Sequence, residues 1–205
     1  KDSEFKKQME FLKENYNVIS LDKLYKQNFE CNEFSVVITF DDGYKDNIEI
    51  AYPILEKNHL PATIYLISRN LLSSPWAWWI ELWNYLYLST SINFNGKKIK
   101  CENYSKKLQV FNNFKKLIKK LNFHQQLDFF KSLTLSDKRE NHRDLYITNE
   151  ELKSFKDNKY LNFGCHTHEH LSLSNFSEDE VEKQIKLSKK IIEEILGKPI
   201  KHFAY

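Results

Sequence analysis

Two short runs hold the residues best suited to chemistry. Asp41-Asp42-Gly43 closes a β-branched stretch, and His166-Thr167-His168-Glu169-His170 places three imidazoles in five positions. Together they offer one or two carboxylates and two or three imidazoles. That donor set suits a borderline divalent ion such as zinc, held by three protein ligands with positions left open. Adjacent carboxylates also allow a division of labour, one binding the ion while its neighbour moves protons. Each run alone has a plain reading, since Asp-Asp-Gly is a common turn and His-x-x-x-His also occurs in solvated loops. Their joint placement favours a site, because both follow directly on a predicted strand, where α/β folds build their sites.

The elements that must position these runs are legible from hydrophobic period. Residues 35–40 and 62–67 are apolar or β-branched runs too short for helices, and they read as buried strands. Between them Ile48, Ala51, Ile54 and Leu55 mark a helical face, with Pro53 either starting its main turn or kinking it. Strand, helix, strand at this spacing predicts a parallel βαβ unit. Upstream, Phe5, Met9, Phe11 and Leu12 recur at helical spacing, and 18–20 begin a short extended stretch. Downstream, Thr148-Asn149-Glu150-Glu151 reads as a capping box, residues 161–165 as a strand running into the histidines, and Ser177-Glu178-Asp179-Glu180 as a second box. The helix it opens carries Val181, Ile185, Leu187, Ile191, Ile192 and Ile195, and stops at Gly197 with Pro199 beyond. Residues 200–205 start the next strand.

Residues from about 70 to 145 break this rhythm. They read as a helical, lysine-rich insertion with a turn at Gly96. Trp76, Trp79, Trp83 and Tyr87 fall at spacings of three and four, which predicts one apolar helical face packing the insertion onto the scaffold. A platform for sugar rings or a peripheral contact with lipid would use the same residue types. Lys115-Lys116-Leu117-Ile118-Lys119-Lys120 could touch anionic lipid, but predicts a solvated helix face.

The 205 residues suffice for one domain and its core. The 31 basic and 28 acidic residues nearly balance, with the lysines spread among acids, so no nucleic-acid partner is expected. No apolar run reaches the roughly 18 residues of a membrane span. Cys31, Cys101 and Cys165 form no CxxC pair and no disulfide framework. The first residues lack a signal-peptide pattern, which leaves the compartment open. Beginning at Lys1 without Met and stopping at Tyr205 inside an extended stretch, the chain is expected to be a piece of a longer protein.

Thr39-Phe40-Asp41-Asp42-Gly43 resembles the first signature of the polysaccharide deacetylases, also called the NodB-homology domain or carbohydrate esterase family four. His166-Thr167-His168-Glu169-His170 resembles the second, of form His-Ser/Thr-x-x-His. Pro61-Ala62-Thr63, Phe163-Gly164 and Gly197-Lys198-Pro199 ahead of Phe203-Ala204-Tyr205 are also similar to family surroundings. The resemblance spans about residues 5–67 and 146–205.

It implies an α/β fold, a distorted and here incomplete (β/α) barrel with the helical insertion around 70–145, the whole of 1–205 forming one catalytic domain. It also implies metal-dependent removal of an acetyl group from an N-acetylated sugar of a polysaccharide or its lipid-linked precursor. By position, Asp42, His166 and His170 would hold the ion, usually zinc, although cobalt or nickel accepts the same donors. Asp41 would be the general base, and Thr167 would tie the two motif loops by hydrogen bonding without touching the ion. His168 matches no ligand position and reads as structural, while His59, His124, His142 and His202 read as surface or packing residues. The third family motif usually runs Arg-x-Pro-Tyr, and Ala204 stands where that arginine often sits. The departure leaves open what orients Asp41 and keeps two alternatives: a non-catalytic glycan-binding module, and an O-acetyl esterase of the same fold.

Overall fold

A computed structural model describes residues 2–26, 34–72, 75–134 and 141–205; Cys31 lies outside them. Helix α1 (Asp2–Asn15) turns Met9 into the core with Phe5 and Leu12 packed beside it. Phe11, expected on the same face, is 55% exposed. There follow β1 (Asn17–Val18), α2 (Leu21–Lys26), β2 (Ser35–Val36) and β3 (Ile38–Phe40). The single strand expected over 35–40 is thus divided at Val37. Its first half pairs with β1 and its second with β4 (Ala62–Leu66), both in parallel. A π-helical turn (Asn47–Ala51) leads without a break into α3 (Tyr52–Asn58), with Pro53 in its first turn, next to the widened π turn.

After a 3₁₀ turn (Ser68–Leu71) the chain forms α4 (Trp78–Leu88), β5 (Ser91–Phe94), β6 (Lys97–Lys100), α5 (Tyr104–Ile118) and α6 (Phe123–Thr134). The insertion is therefore not purely helical. Asn95 and Gly96, at φ 50° and 74°, make a tight turn between antiparallel β5 and β6, the Asn-Gly hairpin signature. Its apolar residues, from Trp76 to Leu133, form a cluster of their own, separate from the core of the sheet.

The α/β rhythm resumes with α7 (Asn149–Ser154). Thr148 and Glu151 cap it reciprocally, as expected, leaving Leu152 fully buried. Strand β7 (Leu161–Cys165) then joins β4, giving a parallel sheet in the order β3-β4-β7 with Leu66 opposite Cys165. Ile64, Leu66 and Leu161 are almost wholly buried, the continuous apolar pattern of a parallel sheet covered on both faces. Helix α8 (Glu178–Leu196) packs Ile192 and Leu196 against them. Gly197 ends it in the left-handed conformation at φ 64°. Ser177 caps α8 as expected, but the reciprocal bond is missing, because Glu180 instead accepts from Gln184. Beyond α8 the chain runs beside β7, with Cys165 N–H donating to His202 and Ala204 N–H to Cys165, each at 2.9 Å. Among the described residues the sheet stays open.

Gly164 is the tightest point of this sheet. A Cβ there would stand 2.6 Å from two ring carbons of Tyr65 and 2.9 Å from the His202 carbonyl. Gly164→Ala is expected to destabilise the fold by about 1–3 kcal/mol through overpacking. Urea unfolding of the two forms measures it. An unchanged midpoint would mean that Tyr65 moves aside freely.

Candidate metal centre

The two motif loops meet at the carboxyl ends of β3 and β7. The first turns sharply after Phe40, with Asp42 and Gly43 both in the left-handed region at φ 70° and 69°. Gly43 has no substitute there, since a Cβ would lie 2.7 Å from a Leu66 methyl. The second loop leaves β7 with His166 N–H bonded to the Leu66 carbonyl at 2.9 Å, and it holds Thr167 and His170 at φ 61° and 55°. Three of the five non-glycine residues with positive φ among those described are thus Asp42, Thr167 and His170. Strain of this kind persists where the surroundings enforce it, commonly at sites.

Asp42 Oδ1 lies 3.4 Å from Nε2 of His166 and 3.4 Å from Nε2 of His170. The three ligand atoms all fall within 4.8 Å of one another. Bonds of about 2.0–2.1 Å to a tetrahedral zinc ion would set neighbouring donors roughly 3.4 Å apart, so the triad fits the ion. His166 is oriented for it. His166 Nδ1 donates to the Ala204 carbonyl at 3.1 Å, which directs Nε2 towards Asp42. His170 Nδ1 is buried without a partner. Burial would raise the Asp42 carboxyl, but the hydrogen bond with His166 and the charges of both histidines hold it below the usual carboxylate range. Burial would lower His166, yet the Asp42 contact lifts it above an ordinary imidazole. His170 is lowered, chiefly by burial.

Asp41 occupies a different environment. It is exposed, makes no hydrogen bond to another described residue, and lines a cleft of about 440 Å³ together with His166, His170, Trp78, Lys119 and Tyr205. One carboxylate sits inside the cluster and the other faces the open space above it.

Thr167 departs from expectation. Its hydroxyl is buried with no partner, and its carbonyl makes the tie instead, accepting from Ser68 N–H at 3.3 Å. That bond joins the histidine loop to the turn after β4, not to the aspartate loop. His168 belongs to the same clamp: Nδ1 meets Ser68 Oγ at 2.8 Å and its carbonyl accepts from Arg69 N–H at 3.0 Å. Burial, with the nearby charges of Arg69 and Lys183, pushes its pKa down to about 4, so it stays neutral and structural. Glu169 completes the clamp, pairing with Arg69 at 3.3 Å and exchanging two hydrogen bonds with Gln184. His59, His142 and His202 bond Tyr160, the Ala77 amide and Asp22, which are packing roles.

Tyr44 and Trp79 also belong to the site; Tyr44 does not stand out in the sequence, and Trp79 reads there only as part of the aromatic stripe. Tyr44 stands beside Asp42, where its hydroxyl helps to lower the carboxyl, and stacks on Tyr146 with ring centres 5.1 Å apart. Trp79, from the insertion, donates Nε1–H to the Tyr44 hydroxyl at 3.1 Å and packs edge-on against His170 at 5.0 Å. The adjacency of Tyr44 to Gly43 was a signal available in the sequence; Trp79 was hidden among the packing tryptophans.

The fold and site together define an α/β protein with an Asp-His-His cluster, suited to a divalent ion, at the carboxyl edge of a parallel sheet. Residues 30–205 match the polysaccharide deacetylase family profile, and the chain belongs to that family. It is 38% identical over 72 residues to YxkH of Bacillus subtilis, covering 33% of this chain and 26% of that protein. It is 36% identical over 76 residues to the poly-beta-1,6-N-acetyl-D-glucosamine N-deacetylase of Staphylococcus epidermidis, covering 36% of this chain and again 26% of that protein. The structure of the Streptococcus pyogenes deacetylase PplD in complex with acetate shares the fold at 20% identity and a TM-score of 0.60, over 100% of this chain and 62% of that one. The chain thus spans only part of the relatives it matches.

Proposed function

We propose that this chain carries the metal site of a hydrolase that releases acetate from N-acetylated sugar units of a glycan, with a polymer of N-acetylglucosamine as the first candidate. The observation that carries the reading is the pairing of the Asp42-His166-His170 triad with Asp41 standing free in the cleft beside it. The Staphylococcus epidermidis relative, named for N-deacetylation of such a polymer, supports it.

Asp42, His166 and His170 would hold the ion, zinc first, with cobalt or nickel acceptable to the same donors. When bound, such an ion lowers the pKa of water to about 7 and polarises a carbonyl. Asp41 supplies the base: its carboxylate faces the cleft and is free to accept a proton as the acetyl carbon is attacked. The Ala204 carbonyl orients His166, and the two histidines keep the Asp42 carboxyl low, so Asp42 is poised as a ligand and Asp41 is left to take the proton. Trp78 walls the cleft on the insertion side.

A second reading has one observation behind it. Ala204, in place of the family's frequent arginine, leaves Asp41 without a described partner to orient it, as a glycan-binding module without turnover would. Acetate release by the zinc-loaded full-length protein, from matched N-acetyl and O-acetyl oligosaccharides, separates the readings. Release from the amide supports the deacetylase. Release from the ester alone makes the protein an esterase, and tight binding without release makes it a binding module.

A further inference from the structure

The insertion carries a second row of features that begins at the metal centre and leads away from it. Trp79, Trp83 and Tyr87 recur every fourth residue along α4, so they share one face and climb about 6 Å per step. Trp79 packs on His170. Trp83 is half-buried and meets Tyr104 and Phe111 edge-on at 5.9 and 5.6 Å. Tyr87 is 67% exposed and Tyr104 68%.

Helix α5 runs beside α4 in the opposite direction. Lys107, near its start, donates to the carbonyls of Leu86, Tyr87 and Ser89 at the end of α4. Lys119, just past its end, lines the cleft. On α5, Tyr104, Leu108, Lys115 and Lys119 lie within roughly 60° of the helix circumference, taking about 100° per residue. Two stripes, one aromatic and one changing from cationic to apolar, therefore lead outward from the candidate metal centre side by side.

We propose that these stripes form an extended glycan-binding track, seating about two further sugar units of an N-acetylated polymer beyond the unit that reacts. The step along α4 is comparable with the length of one hexose ring. The C–H faces of pyranose rings pack on aromatic faces, while Lys115 and Lys119 donate to hydroxyl or acetamide oxygens along the edge. Exposed Tyr87, Tyr104 and Leu88 beside lysines would also suit an anionic bilayer. Continuity with the cleft favours the glycan, since a bilayer contact has no need to end on His170. The proposal rests on the deacetylase reading for which end of the track reacts.

The test uses the full-length, zinc-loaded protein and N-acetylglucosamine oligomers of two and five units. Calorimetric binding and KM should both favour the pentamer, and Tyr87→Ala combined with Tyr104→Ala should reduce that advantage about tenfold. Dimer turnover and melting temperature should stay unchanged, because both tyrosines are exposed and stand away from the triad. An equal pentamer advantage in the double variant would overturn the track. So would a variant that loses only sedimentation with phosphatidylglycerol vesicles, which would make the face a bilayer contact. Pentamer binding without acetate release would sink the deacetylase reading and leave the track standing, whereas release with the same KM at every length would do the reverse.

Discussion

Asp41→Asn in the full-length protein is expected to leave the metal content unchanged and to lower kcat by roughly 10²–10⁴-fold, the range typical of a lost general base. The substitution keeps the side chain's shape and removes its basicity. The structure separates the two aspartates clearly enough to make the outcome asymmetric. Asp42 stands 3.4 Å from both histidines in a left-handed backbone turn, while Asp41 is exposed to the cleft and contacts neither. Elemental analysis beside acetate-release kinetics reads both quantities on one preparation. Loss of the ion from Asp41→Asn would mean that the two carboxylates have exchanged roles. Retained turnover would move the base to another residue.

What could be read from the sequence follows the range of the forces involved. Strands β4 and β7 and the caps of α7 and α8 depend on neighbours a few residues away, and each was visible as an apolar run or a Ser/Thr-x-x-Glu pattern. The Asp-Asp-Gly and His-x-x-x-His runs were visible for the same reason, and the structure brings the ligand atoms of Asp42, His166 and His170 within 4.8 Å of one another. Long-range partners were not visible. Glu180 leaves the second capping box incomplete because Gln184, one turn on, competes for its carboxylate. Thr167 donates nothing to the aspartate loop; its carbonyl accepts from Ser68 while its hydroxyl is buried without a partner. Gly96 reads as a turn within a helical stretch; the flanking Ile92, Phe94 and Ile99 alternate as hairpin strands that cover the insertion's own core. Most consequentially, the tryptophan stripe divides. Trp76 lies before α4 and is buried with Trp78, whereas Trp79 reaches across to His170 and Tyr44. Period alone places a residue on a face and says nothing of what stands opposite.

Asp42→Ala and His166→Ala should each abolish stoichiometric zinc binding, because a triad reduced to two protein donors lacks the set a closed or catalytic site needs. The effect has a readout independent of turnover. An ion that binds the folded chain alone stabilises it by about 2.7 kcal/mol at a hundred times its Kd, so added zinc should raise the melting temperature of the wild type and leave both variants unmoved. Ion and proton compete for Nε2 of His166, whose pKa the Asp42 contact raises. Zinc affinity should therefore be at its plateau above that raised pKa and fall as pH drops through it. In Asp42→Ala the lifting contact is gone, so any residual weak binding should persist to lower pH than in the wild type. A zinc-dependent rise in melting temperature that survives in His166→Ala would place the ion elsewhere in the fold. The free Asp41 carboxylate would then have no activated partner beside it, and the glycan-binding reading would take precedence over the hydrolase.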